Sequence, residues 1–169
     1  MNLWIGLLIF LLIWLVVFII IEMIIIKVRE KKIYEEYNYL DKQFEESKVC
    51  VLETIGILDR YNNAEADSLS KSYRDIKKSV VSSKSLSDLF LIIDRISLTR
   101  KSTARVFKNE DYIKVRDLLI NYKDRINNSL DRYNIYVGNF NRKVFSLPTY
   151  IIAFVLRILP YSELIIDKE

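Results

Sequence analysis

Residues Tyr133 to Pro148 read YNIYVGNFNRKVFSLP. The apolar residues Tyr133, Val137, Phe140, Val144 and Leu147 recur at steps of four, three, four and three. That spacing places all five on one side of an α-helix. Asn134 and Asn141 each follow a stripe residue, so both lie on the flank of the same stripe. Pro148 closes the pattern, because it has no N–H and clashes with the preceding turn. Five more residues of the same period precede it, and a long amphipathic helix follows from them.

Upstream, Val115, Leu119, Tyr122, Ile126 and Leu130 continue the stripe. Asn109 is placed to cap this helix, with Glu110 and Asp111 complementing its positive end. The expected helix has roughly 37 residues, about 55 Å at the usual rise. Gly138 sits inside it, where close approach of another helix or a neutral surface position would each account for it. Earlier in the chain, Tyr37, Phe44, Val51 and Leu58 recur every seven residues, with Leu40 and Ile55 at the half-steps. This seam predicts a helix over 33–61. Asn62-Asn63 predicts a turn. Leu69, Tyr73, Ile76 and Val80 mark a weaker helix over 64–81. Ser85 is expected to cap the next helix with Asp88 as its box partner, and Leu86, Leu89, Ile93 and Ile96 face inward as far as about residue 103. Residues 104–110 predict a turn.

Downstream of Pro148, residues 149–159 are apolar except Arg157, and Pro160 ends them. The segment is too short to span a bilayer. It is expected to pack on the bundle as a lid; the alternative is an interfacial helix with Arg157 reaching headgroups.

The other end of the chain is of a different kind. Leu3 to Ile21 is an unbroken apolar run, and Glu22 is its only charge before Lys27. Leu3 to Ile26 makes 24 residues, roughly 36 Å of helix, enough to cross a hydrocarbon layer of about 30 Å. No basic start or small-residue cleavage site marks a signal peptide, so a retained anchor is expected. Lys27, Arg29, Lys31 and Lys32 follow the span, and Trp4 sits at its outer edge. The positive-inside rule then puts the N-terminus outside and the rest of the chain in the cytoplasm. Glu22 is expected to reach the headgroups, with a polar contact to another transmembrane helix as the alternative.

The charge balance limits the function. All 26 Lys and Arg follow residue 26, against 21 acids, a net +5 spread among the acids. A nucleic-acid surface would need those cations gathered on one face, so no nucleic-acid partner is expected. The chain has no His and one Cys, Cys50. General-base work would fall to Asp, Glu, Lys or Tyr, and the acids run along helix exteriors beside Lys and Arg. No phosphate-cradling glycine loop and no Glu-x-x-His pair is present. No catalytic residue, metal ligand set or cofactor is therefore expected.

The pattern from Tyr133 to Pro148 resembles the C-terminal signature of the LemA family, membrane-anchored helical proteins of bacteria. Tyr37-Asn38 with Leu40 is similar to the pair that opens the family's first soluble helix. Two positions near the signature depart, Leu130 and Lys123 standing where the family usually has Arg and an acid, and in the first half the family's Arg-Arg and Asp-Leu-Ile-Pro-Asn-Leu-like run has no counterpart near Ile57–Leu69. The resemblance implies an all-α fold, with an N-terminal transmembrane helix followed by a long antiparallel bundle of three to four helices. The expected division is an anchor over 1–26, a LemA-like bundle over 27–164 and a tail over 165–169. The expected function is non-enzymatic: a single-pass scaffold or interaction module in a bacterial cell membrane, with a lipid-binding or membrane-remodelling module as the alternative. Its partners would be the bilayer, through residues 3–26, and proteins the sequence does not name, a second copy included. Tyr133, Asn134, Val137, Phe140, Asn141, Val144 and Pro148 are the motif positions expected to serve packing or partner binding. Buried amides fix helix register through their hydrogen bonds, which is the structural role open to the two asparagines.

Overall fold

A computed structural model describes residues 3–61, 64–98 and 108–166. Every regular element among them is an α-helix: α1 (Leu3–Arg60), α2 (Ala64–Lys77), α3 (Ser83–Leu98), α4 (Glu110–Val144) and α5 (Thr149–Val155). The all-α expectation holds. α1 runs unbroken for 58 residues, because no proline falls within it, and residue 26 lies in its interior. Asn62-Asn63, residues 99–107 and the last three positions of the tail lie outside the described residues. Contacts divide the chain into two compact units, one of residues up to Glu35 with Tyr133–Glu163, the other of Glu36–Arg132 with the chain from Leu164.

In the second unit, the seam predicted for α1 is its buried face. Leu40, Phe44, Val51, Ile55 and Leu58 join Leu69 and Ile76 of α2, four predicted residues of α3, and Leu119, Ile126 and Leu130 of α4 in one core. Helices α1 and α4 run antiparallel here. Asn109 Nδ2 donates to the Tyr61 hydroxyl at one end, and Arg132 pairs with Glu36 at 3.2 Å at the other. Asn109 caps α4 as expected, its Oδ1 accepting from the backbone N–H of Asp111 and Tyr112.

Three details of this unit depart from expectation. α2 stops at Lys77, so Val80 is 73% exposed and Val81 is buried in its place. Ser82, not Ser85, caps α3. The Ser85 N–H donates to Ser82 Oγ and the Ser82 N–H to Ser85 Oγ, a capping box closed by a second serine. Asp88 plays no part in it. Tyr112, which the stripe omits, is fully buried and donates its hydroxyl to the Ile96 carbonyl. Lys48 is also buried. Its ammonium pairs with Glu45, lies over the Phe44 ring and donates to the carbonyls of Lys77 and Ser79 at the end of α2. A cation there satisfies orphan carbonyls and complements the negative end of the helix.

In the first unit, no side chain from Trp4 to Ile21 is buried. Burial begins at Glu22, Ile26 and Ile33 of α1, against Tyr133, Val137, Phe140 and Val144 of α4. The two stretches are again antiparallel: Arg29 donates to the Asn139 carbonyl, and Lys143 meets Glu22. One helix is thus long and apolar enough to cross a membrane, and its apolar half is bare.

Candidate functional site

The first unit gathers the motif positions with groups far from them in sequence. Tyr133, Val137, Phe140 and Val144 are buried on one face of α4, and Asn134 and Asn141 are half-buried on its flank. Leu147 is the exception, 77% exposed. Pro148 disfavours helical geometry in the residue before it, and α4 already ends at Val144. The Ser146 hydroxyl donates to the Lys143 carbonyl, so the stripe loses its last member to the turn.

Asn141 holds the returning chain. Its Nδ2 donates to the Tyr161 carbonyl at 2.8 Å, and its Oδ1 accepts from the Tyr161 N–H at 3.0 Å. One side-chain amide thus satisfies both backbone groups of Tyr161, as a neighbouring strand would. The Tyr161 ring stands edge-on to Phe140 at 5.2 Å, and its hydroxyl donates to Glu30 of α1 at 3.1 Å. Tyr133 fastens the next residue, donating its hydroxyl to the Ser162 carbonyl. The hydrogen bond from Lys27 and that from Tyr161 hold the Glu30 carboxyl below its usual range, against some desolvation. Burial, then the bond to Glu30, pushes the Tyr161 phenol up. Gly138 needs no close helix: an added Cβ there would meet only Glu163 Oε1, at an ordinary 3.6 Å.

Glu22 forms a second junction. Its carboxylate is buried, where the sequence reading placed it among headgroups. Lys143 Nζ lies 3.0 Å from Oε1 and 2.9 Å from Oε2, and Thr149 Oγ1 donates to Oε2 at 2.9 Å. An ionised carboxylate buried without partners would be very unfavourable; here α4 and α5 supply them. Its partners, Lys143 of α4 and Thr149 of α5, are neither the expected headgroups nor a second transmembrane helix. Sequence spacing carries no signal for a pair 121 residues apart.

Segment 149–159 packs less than a lid should. Only Thr149 and Ala153 of α5 are buried. Phe154 is 73% exposed, and Tyr150, Ile151, Val155 and Leu159 are exposed with it. α5 ends in a Schellman motif: Ile158 N–H bonds to the Ala153 carbonyl and Arg157 N–H to that of Phe154, with Arg157 at φ 54°. That left-handed position usually belongs to Gly.

In the same unit lies an open groove of about 400 Å³, lined by Ile24, Ile25, Val28, Arg29 and Lys32 of α1 and by Tyr136 and Asn139 of α4. It sets an apolar wall next to two cations. Among the described residues no three His, Cys, Asp or Glu converge to hold a metal ion. Cys50 is buried in the other unit, and burial pushes its thiol up, which makes it a poor nucleophile. These sites can pack and clasp. Compared with family models, with curated proteins and with solved structures, the chain matches none.

Proposed function

We propose that the chain is a non-enzymatic, single-pass membrane protein of the LemA type, acting as a membrane-attached scaffold in a bacterial cell membrane. The observation that carries this reading is the bare apolar half of α1. A run from Trp4 to Ile21 with no buried side chain is intolerable in water and suited to hydrocarbon. The resemblance of Tyr133 to Pro148 supports the family. The cations from Lys27 to Lys32 support a cytoplasmic bundle with the N-terminus outside.

Three measurements test the proposal. Alkaline carbonate should leave the full chain in the membrane pellet, and its release would end the anchor reading. A cysteine appended after Glu169 should stay unlabelled by an impermeant thiol reagent in intact cells, and labelling without lysis would reverse the orientation. For the scaffold itself, photocrosslinkers at the exposed Leu91 and Leu118 should give discrete protein adducts in cells. Silence at both positions would remove the scaffold reading.

A lipid-binding or membrane-remodelling module is the second reading. The exposed apolar face of α5 and the groove beside Arg29 and Lys32 favour it. An acyl chain suits the apolar wall of that groove, and a phosphate suits its cations.

A further inference from the structure

We infer that the turn from Phe145 to Leu159, carrying α5, is a second membrane attachment, immersed in the leaflet at the Glu22 end of the span. The inference rests on reading residues 3–26 as a transmembrane anchor.

Geometry fixes the level of the turn. α4 reaches the Glu22 carboxylate at Lys143, and Thr149, the first residue of α5, bonds the same carboxylate. By Tyr161 the chain is back beside Asn141 and Glu30. The residues between are therefore held near the level on α1 where the uncharged run gives way to Glu22. Glu22 is the first charged residue after that run, so it marks the edge of the hydrocarbon. A turn tied to Glu22 cannot stand far off from it.

Chemistry then names the occupant. No charge occurs from Val144 to Leu156. Phe145, Leu147, Ile151, Phe154, Val155 and Leu159 expose most of their surface. Arg142 and Arg157 bracket the segment, and both are exposed. An apolar face rimmed by cations is the pattern of a helix seated at an anionic interface. Thr149 at the start of α5 bonds Glu22, the residue that follows the exposed apolar run of α1, so one hydrocarbon phase can cover both. The buried Glu22–Lys143–Thr149 cluster is the polar joint that lets an acid sit at that depth fully partnered.

The test uses the full chain with Cys50→Ala, reconstituted in phosphatidylcholine–phosphatidylglycerol vesicles. Nitroxide labels are placed through Phe154→Cys, through Ile13→Cys in the span and through Lys71→Cys on exposed α2. Collisions with oxygen and with a hydrated nickel chelate are compared. The label at 154 should collide with nickel roughly tenfold less often than the label at 71, because a hydrated ion complex is excluded from hydrocarbon. Equal nickel access at 154 and 71, with 13 protected, overturns the inference and leaves the anchor standing. Nickel access at 13 overturns the anchor and the inference together. Spin–spin broadening at 154 that disappears on dilution with unlabelled chain assigns the face to a second copy, and also overturns it.

Discussion

Replacing Lys143 by Met removes one partner of the Glu22 pair and little volume. At 2.9 Å and an effective dielectric constant of about 20, two unit charges attract by about 6 kcal/mol. Desolvation of both groups opposes most of that attraction. Lys143 keeps a quarter of its side chain exposed and Glu22 less than a tenth. The loss should therefore be about 2–3 kcal/mol, below the range of about 3–5 kcal/mol found when a fully buried pair is broken. Glu22→Met should lose less, about 1–2 kcal/mol, because the stranded ammonium can turn toward solvent. The double variant strands no charge; it leaves only the Thr149 hydroxyl without its acceptor, about 1 kcal/mol. α5 has seven residues, too few to persist undocked, so exchange of the amides at Leu156 to Ile158 reports the joint. Hydrogen-exchange mass spectrometry should show those amides exchanging roughly 30- to 150-fold faster in Lys143→Met, with the double variant recovering most of the protection. Additive losses, within about 0.5 kcal/mol, would refute the coupling of the three groups.

Four further outcomes are expected. Asn141→Leu removes two hydrogen bonds to Tyr161 and should destabilise that segment by about 1–3 kcal/mol while helical circular dichroism is unchanged; unaltered exchange at Tyr161 to Glu163 would contradict the clasp. Arg157→Gly relieves a side chain at positive φ and should raise stability by about 0.5–1 kcal/mol, read as a higher denaturation midpoint; a fall would contradict it. Glu30 has a lowered folded pKa, so its contribution is complete above the ordinary value of 4.5 and disappears as pH falls through the folded value. The midpoint difference between the native chain and Glu30→Gln should therefore be flat above about pH 5 and vanish in acid, and a difference that persists in acid would contradict it. Cys50, buried with a raised pKa, should react with iodoacetamide at least about tenfold more slowly than a free thiol at pH 7 until the chain is denatured; equal rates would contradict its burial.

The parts of this fold that repeat were legible in the sequence. Leu40 to Leu58 and Leu119 to Leu130 follow helical periods and form the core of one unit, and Tyr133 to Val144 keep the period and are buried in the other. The Asn109 cap was legible because its signal lies within three residues of its target. What escaped was non-local or competitive. Glu22 takes its partners from positions 143 and 149, which no window around residue 22 contains. Tyr112 is an exception: three residues before Val115, it continues the α4 stripe, so its burial follows from the period alone. Val80 and Leu147 fit their stripes by count, but each falls beyond the point where its helix stops. Of the motif, the packing positions were readable. The backbone clasp by Asn141 was not, because its partner is an irregular segment with no period at all.

The Glu22 joint also has a consequence in time. Its cation and its hydroxyl lie 121 and 127 residues downstream. At about 5–20 residues per second of synthesis, the ribosome needs roughly 6–24 s to make Lys143 after Glu22. An anchor inserted as it emerges would spend that interval with a lone acid at the lipid edge, free to be protonated, to recruit a chaperone or to slide. Completion of the chain then ends the wait, so seating depth would be set at the close of translation rather than at insertion.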